Sequence, residues 1–174
     1  MEIIRNQKAS SSTSQCSYQV FLSFISEDTH KAFIDHLYTA LVQAGFCTFG
    51  DDDGIERGED IKFELQKAIQ GSRISIIVFS KHYASLSWCL YEIVMILKHR
   101  RISGHVVLLV FYHVDPSHVR NQMESFKEAF KKHEERFQAK EVGDRKNNWK
   151  KKMEEWRATL RDAVDIARMN LENG

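Results

Sequence analysis

The chain has 174 residues, of which 43% are hydrophobic and 28% are charged, and its formal net charge is +1. This length is enough for one domain with a full hydrophobic core, whereas the near-zero charge provides no overall field that would attract nucleic acid or an anionic membrane. No apolar run approaches the roughly 20 residues that cross a bilayer.

The cysteines and the N-terminal residues bear on the cellular compartment. The cysteines, at positions 16, 47 and 89, are widely spaced and form neither a disulfide framework nor a CxxC metal motif. Residues 1–8 lack the apolar core of a secretory signal. We therefore expect reduced thiols in the cytoplasm, with the nucleus as an alternative location.

The first part of the chain alternates predicted strands and helices. Residues 1–16 contain a polar, serine-rich run, which predicts a flexible leader. Residues 18–24 are aromatic and β-branched, which predicts a buried strand, and Asp28 or Thr29 can cap the helix that follows. An apolar stripe recurs along that helix every three or four residues: Phe33, Leu37, Leu41 and Ala44. Residues 46–49 predict the second strand.

The same alternation continues in the middle of the chain. An acidic polar loop at residues 50–58 precedes a helix, and residues 73–79 predict a third strand that is strongly β-branched. A helix with Trp88 and Glu92 then precedes a fourth apolar strand at residues 105–112, and two charged helices follow. Apolar strands that alternate with helices predict a parallel sheet covered on both faces, in a flavodoxin-like three-layer α/β sandwich.

The most informative local feature is a single carboxylate, Glu92, within the apolar helical run 87–97. Burying an unpaired charge is costly, so this carboxylate must meet a partner, water or a ligand. Trp88 lies four residues earlier and therefore shares its helix face. An aromatic plate beside a carboxylate suits a ligand that is flat and cationic at one end. The alternative is a glutamate that reaches solvent at the edge of the helix.

The predicted topology brings other elements close to this carboxylate. Open α/β sheets bind ligands outside the carboxyl ends of their strands. The turn at residues 24–27, the loop at residues 50–58 and the start of the Trp88 helix all lie at that edge. Their convergence favours a ligand-binding role for Glu92.

Other kinds of site are less well supported. Residues 113–118 include two histidines and an aspartate, but their Asp-Pro-Ser sequence is turn chemistry, and we predict no metal site. The acidic cluster 51–53 lacks the spaced oxygen donors of a calcium loop. A response-regulator receiver would need a lone aspartate after the third strand, where residues 80–82 are Ser-Lys-His. The basic residues 146–152 are followed by acidic residues 154–155, which favours a solvated helix start over a nucleic-acid surface.

Together these segments resemble the TIR domain of the plant type, which occurs in TIR-only proteins and at the N-terminus of nucleotide-binding leucine-rich-repeat immune receptors. The matching motifs are Tyr18 to Thr29, Thr48-Phe49 with Asp51-Asp52, Glu56 to Glu59, Ile76 to Ser80, Tyr83-Ala84, Ser87 to Leu90 with Glu92, and Phe111 to Ser117. The similarity covers about residues 17–168, so we predict a domain at residues 17–170 and a tail at residues 171–174.

The resemblance implies both a fold and an activity. The TIR fold has a five-stranded parallel sheet in the order 2-1-3-4-5, so a fifth strand should lie between residues 112 and 146. The family cleaves NAD or NADP at the nicotinamide–ribose bond without a metal or other cofactor, giving ADP-ribose or cyclic ADP-ribose-type products. Its catalytic residue is the glutamate of a W-C-L-x-E pattern, which is Glu92 here. One carboxylate near the sugar can stabilise the oxocarbenium-like transition state.

The resemblance also implies which residues contact the dinucleotide. The expected substrate-binding positions are Phe24, Ile25, Ser26, Phe49, Gly50, Trp88 and Tyr91, and the expected loop positions are Asp51, Asp52 and Arg57. This chain departs from the family pattern at several of them. Ile25-Ser26 replaces a usual Arg-Gly, Gly50 replaces another arginine, and Tyr91 replaces an aspartate. Because arginine is the natural bidentate partner of phosphate, the two lost arginines predict weaker substrate binding.

The resemblance implies partners as well. Asp35 and His36 in the first helix align with a family pair at a self-association surface, so we expect a weak homo-oligomer. We predict no membrane contact, and a nucleic-acid substrate is the less favoured alternative to NAD. The strongest non-enzymatic alternative is an immune-signalling scaffold or adaptor that acts through TIR–TIR contacts, because the lost arginines permit a scaffold without catalysis.

Overall fold

The structure is a computed structural model that describes residues 18–51, 59–140 and 143–173. Its described residues form a parallel sheet of four strands: β1 (Val20–Ser23), β2 (Thr48–Asp51), β3 (Ile74–Phe79) and β4 (Val106–Phe111). The helical elements are α1 (Lys31–Gln43), α2 (Glu59–Gly71), a 3₁₀ turn (Tyr83–Ser85), α3 (Ser87–Ser103), α4 (Pro116–Arg120), α5 (Ser125–Lys140) and α6 (Asp144–Glu172). The strand order is β2-β1-β3-β4, so the predicted α/β fold with a parallel sheet is confirmed.

The expected fifth strand is absent from the described residues that follow β4. Residues 116–120 and 125–140 form α4 and α5 instead. The physical reason lies in the spacing of apolar residues, because Phe126, Ala129 and Phe130 recur at helical intervals and are all buried. An extended segment would place Glu128 on the same face as Phe126 and Phe130 and would turn Ala129 to the opposite face. The sheet therefore has four strands in this part of the chain.

All strand pairs are parallel, so their carboxyl ends lie at one edge, which we call the C-edge. Ser23 at the end of β1 is paired with Asp51 on one side and with Ile77 on the other. Phe79 and Phe111 end β3 and β4 opposite each other. The loop after β1 and the 3₁₀ turn after β3 therefore emerge at the same edge of the sheet.

The core is divided between the two faces of the sheet. Phe21 on β1 and Ile25 just after it belong to the larger cluster, which also contains buried side chains of α2, α3, α5 and α6. Leu22 and Phe24 belong to a smaller cluster covered by α1. This alternation follows from the two-residue period of a strand. Ser23 consequently lies on the face of the larger cluster.

The start of α1 differs from the prediction. Its cap position is His30, and no side chain caps the helix. Thr29 instead donates its hydroxyl to the carbonyl oxygen of Ile25 at 2.9 Å. The carboxylate of Asp28 is used by residues after β3, as described below. Asp28 is therefore engaged in tertiary hydrogen bonds and Thr29 in a local turn, so neither side chain caps the helix.

Several boundaries of strands, helices and the domain differ between the structure and the sequence prediction. The second strand is Thr48–Asp51 and not residues 46–49, because pairing with Val20 begins at Thr48 and Phe46 is exposed. Helix α6 continues to Glu172, beyond the predicted domain boundary at residue 170. The predicted leader at residues 1–16 lies outside the described residues.

Two observations concern the chemical environment. Cys89 is free and buried, but Cys47 is disulfide-bonded, so the expectation that all thiols are reduced is wrong for Cys47.

Within the described ranges, no helix combines the length and the apolar character that a membrane span requires.

Candidate functional site

Glu92 lies at the C-edge of the sheet, where the sequence predicts it. It belongs to the second turn of α3 and its side chain is completely buried. The hydroxyl of Ser23, at the end of β1, donates a hydrogen bond of 2.6 Å to Oε2 of Glu92. This contact joins residues that are 69 positions apart in sequence. It fixes the carboxylate beside the loop that follows β1.

A short chain of hydroxyl groups leads to this carboxylate. The phenol oxygen of Tyr83, in the 3₁₀ turn, lies 2.8 Å from Oγ of Ser23. Because Ser23 donates its proton to Glu92, the proton in the contact between Ser23 and Tyr83 comes from Tyr83, whose hydroxyl also donates to the carbonyl oxygen of Cys89 at 3.3 Å. Each donor in such a chain polarises the next, which strengthens the bond that ends on the carboxylate. Sequence analysis did not identify Ser23 or Tyr83, although a serine closing an apolar strand is a signal that could have drawn attention.

The burial of Glu92 has a chemical consequence. A ligand cannot reach its carboxylate in this conformation, because the residue has no exposed surface. Its neighbours on α3, Leu90, Ile93 and Ile96, are buried as well. The carboxylate can therefore meet a ligand only after the surrounding residues move.

An aromatic pair lies on the first turn of α3. Trp88 and Tyr91 are both half-buried, with ring centroids 5.6 Å apart. The ammonium of Lys62, on α2, lies 5.8 Å from the centre of the Tyr91 ring. Trp88 also packs against the larger core cluster. Two half-buried aromatic rings therefore lie beside Glu92 on α3, and their stacking on a ligand stays a prediction.

The remaining predicted substrate-binding residues divide between the two faces of the sheet. Phe49 lies on the face of Glu92, where its ring stacks on Phe21 at 5.5 Å. Phe24 is buried under α1 on the opposite face, and Gly50 lies on that face too because it pairs with Leu22. The structure therefore does not bring Phe24 and Gly50 together with Glu92.

The residues at the start of the β1–α1 loop have different environments. Ile25 is buried in the larger cluster, whereas Ser26 is half-buried. Ile25 is therefore a packed apolar side chain at a position where the family usually has a cation. Of the predicted loop positions, Asp52 and Arg57 lie outside the described residues, and Asp51 is described only as the last residue of β2.

A second polar cluster at the C-edge is centred on Asp28. Its carboxylate accepts hydrogen bonds from Oγ of Ser80 at 2.7 Å, from the backbone N–H of His82 at 2.6 Å and from Nδ1 of His82 at 2.6 Å. Burial alone would raise the pKa of Asp28, but these hydrogen bonds and the charge of His82 hold that pKa below its ordinary value. Asp28 thereby ties the loop after β1 to the loop after β3.

We expect Asp28→Asn to lower the free energy of unfolding at pH 7 by about 1–3 kcal/mol, because the substitution weakens three hydrogen bonds to a buried charge. The native pKa of Asp28 is depressed, so its contribution is present above the ordinary value of 3.8 and is lost as the pH falls through the native pKa. Urea unfolding at pH 7 and at pH 3 should therefore show a smaller difference at pH 3. Asp162→Asn, at an exposed ion pair with Arg101, is the control, and an equal loss in both variants would contradict this role.

The predicted self-association residues lie on α1. His36 is exposed and Asp35 is half-buried. Ile34 is the buried residue of this helix, while Phe33, Leu37 and Leu41 are only partly covered. The outer face of α1 is therefore available for a contact with another molecule.

The segment at residues 113–118 has a structural role. Asp115 caps α4 by accepting hydrogen bonds from the backbone N–H of Ser117 at 2.7 Å and from its hydroxyl at 2.6 Å. These bonds hold the pKa of Asp115 below its ordinary value. Among the residues that the structure describes, no group of three or more potential ligands is placed to hold a metal ion.

Comparison with known proteins adds independent information. The family model of the TIR domain matches residues 17–167. Disease resistance protein RPV1 of Vitis rotundifolia is 48% identical over 170 residues, which is 94% of this chain and 11% of that protein. TMV resistance protein N of Nicotiana glutinosa is 44% identical over 158 residues, which is 91% of this chain and 13% of that protein. The chain thus spans a small part of the length of these relatives.

A solved structure resembles most of this chain. It contains the TIR domains of the activated Roq1 resistosome, which directly recognises the pathogen effector XopQ. The TM-score is 0.70 at 45% sequence identity, and the match covers 86% of this chain and 85% of that chain.

Proposed function

Because this chain belongs to the TIR domain family, we propose that it acts in plant immune signalling and hydrolyses NAD or NADP at the nicotinamide–ribose bond, with Glu92 as the catalytic residue. The observation that carries this proposal is the position of Glu92. Its carboxylate lies at the edge of the sheet where α/β folds bind ligands, and it is held there by Ser23.

The chemistry requires little from the protein beyond one negative charge. The bond between C1′ of the ribose and the pyridinium nitrogen breaks, and the electron pair leaves with nicotinamide, which departs as a neutral molecule. The ribose becomes oxocarbenium-like, and the carboxylate of Glu92 stabilises that positive charge electrostatically. Water then adds to C1′ and releases one proton. The products are nicotinamide and ADP-ribose.

The enclosure of Glu92 indicates that the free domain rests in a closed state. We propose that association of TIR domains opens it, as an assembled structure exists for the TIR domains of the Roq1 resistosome. A ligand or partner that binds only the open state shifts the population towards it. The single domain at low concentration is then a weak enzyme.

This proposal predicts that specific activity rises with protein concentration. At micromolar concentration the protein should be mainly monomeric and should associate weakly through α1, whose outer face includes His36. His36→Ala should reduce both the light-scattering mass at high concentration and the rate of nicotinamide release per molecule. Lys131→Ala, on the exposed side of α5, is the control. A stable dimer that His36→Ala leaves intact would place the interface elsewhere.

A scaffold without catalysis is the second candidate function. Two observations favour it: Glu92 has no exposed surface, and the buried Ile25 occupies a position where a cation would approach the phosphates. A scaffold would associate through the same helix but would release no nicotinamide at any concentration. The two candidates therefore differ in one assay, although they share a self-association surface.

A further inference from the structure

A cleft of about 280 Å³ lies beside the Glu92 region, between the β1–α1 loop, the 3₁₀ turn and α5. Ile25 and Leu86 contribute its apolar wall. One helix face of α5 forms the opposite wall, because Ala129, Lys132 and Arg136 are spaced by three and four residues. The cleft is close to the lower end of the volume range of small-molecule sites, which is about 300–1,000 Å³.

Two cations of α5 line the cleft, and neither forms an ion pair with an acidic side chain among the described residues. Lys132 and Arg136 are exposed, and neither is among the ion pairs formed by the described residues. Their positive charges line a concave surface with a low-dielectric wall, which concentrates the field. An anion would gain two charge-assisted contacts there.

The facing wall presents a histidine with a fixed orientation. His82 lines the cleft, and its Nδ1 is occupied by Asp28 at 2.6 Å. Nε2 is therefore the ring nitrogen that remains for a ligand. The carboxylate of Asp28 is already satisfied by three donors, which reduces its repulsion of an anion. Glu27 lies on the exposed rim.

The cleft is held in shape by a buried histidine. Nε2 of His133, on α5, donates to the carbonyl oxygen of Ala84 in the 3₁₀ turn at 2.8 Å. Burial and the neighbouring charge of Arg136 lower the pKa of His133, although its bond to Ala84 opposes them, so the ring is neutral at pH 7. The same turn carries Tyr83, whose hydroxyl reaches Ser23 beside Glu92. The 3₁₀ turn therefore contacts both α5, at the wall of the cleft, and Ser23, the hydrogen-bond partner of Glu92.

We propose that this cleft binds the phosphate or diphosphate group of a phosphorylated small molecule through Lys132, Arg136 and His82. Arginine binds phosphate as a two-pronged donor and lysine as a point charge, so the two residues complement each other. The ligand has two sources: the diphosphate of the NAD substrate, which rests on the proposed function, or a separate phosphorylated molecule. The cations that this chain lacks at positions 25 and 50 would then be supplied from α5.

The first test measures binding of inorganic pyrophosphate by isothermal titration calorimetry. Lys132→Ala combined with Arg136→Ala should weaken binding by at least about tenfold, because each substitution removes a charge-assisted contact. Lys127→Ala combined with Lys131→Ala removes the same charge from exposed positions of the same helix and should change affinity less than about twofold. Equal weakening in both double variants, or no binding to the unsubstituted protein, would overturn the proposal.

The second test separates the two sources and uses the Glu92→Gln variant, in which the loss of the carboxylate charge should prevent turnover of NAD during the measurement. If the site holds the diphosphate of NAD, pyrophosphate and NAD compete, and the Lys132/Arg136 double variant weakens NAD binding as well. If the ligand is a separate molecule, both bind together and NAD affinity is unchanged. Pyrophosphate binding does not depend on turnover, so failure of the NAD-hydrolysis proposal leaves the first test intact.

Discussion

Replacing Glu92 by glutamine should lower the rate of nicotinamide release from NAD by at least about 100-fold, the size of effect that loss of one preorganised electrostatic group produces. Glutamine has nearly the same shape and can still accept the hydrogen bond from Ser23. The substitution therefore removes the negative charge while preserving the packing of α3. Neutralising a buried carboxylate that is already enclosed by apolar side chains should not unfold the domain.

Two further variants make this result specific. Glu134→Gln changes an exposed carboxylate on α5 and should leave the rate unchanged. Ser23→Ala removes the donor that positions Glu92 and should lower kcat by roughly tenfold with little change in KM, since it acts on the transition state through Glu92. If Glu92→Gln retained the rate of the unsubstituted protein while remaining folded, the catalytic assignment would be wrong.

Replacing Trp156 by alanine should lower the free energy of unfolding by about 3–5 kcal/mol, the usual cost of truncating a large buried aromatic residue. Trp156 is completely enclosed in the larger cluster. Its ring lies 5.4 Å from the ring of His133 and so joins α6 to α5. Loss of this ring leaves a cavity that surrounding side chains fill only partly.

Urea denaturation followed by circular dichroism measures this effect. Leu171→Ala is the matched control, because it truncates an apolar residue on the same helix that is 83% exposed, and it should cost less than about 0.5 kcal/mol. A loss below about 1 kcal/mol for Trp156→Ala would mean that α6 contributes little to the core.

The alternation of strands and helices could be predicted from sequence because each element carries its own periodic signal. The β-branched run that forms Ile74–Phe79 is a strand in the structure, and the apolar stripe after Thr29 is a helix. The start of α1 could not be predicted in the same way. Asp28 bonds to residues that are 52 and 54 positions away, and such partners leave no local signal.

The candidate site was predictable to a similar extent. The spacing of Trp88 and Glu92 correctly places both on α3, and the parallel sheet places that helix start at the C-edge. The enclosure of Glu92 could not be foreseen, because it depends on Ser23 and Tyr83, which meet only in the folded chain. The resemblance gave no face for Gly50, and its place on the opposite face follows only from the pairing of β2 with β1, which local sequence does not specify.

The expectation of a fifth strand was wrong for a different reason from the helix cap. It came from the family resemblance, whereas the local pattern of Phe126, Ala129 and Phe130 predicts the helix that the structure contains. Sequence analysis identified that segment only as a charged helix. Only the fold shows that Lys132 and Arg136 face a cleft shared with Ile25 and His82.

The central claim is tested most directly by nicotinamide release from NAD by the purified protein over a series of concentrations up to the range in which it associates. The account predicts Glu92-dependent release of nicotinamide and ADP-ribose in equal amounts, with specific activity that rises with concentration. No release at any concentration by a folded, associating protein would contradict it and would identify the domain as a scaffold.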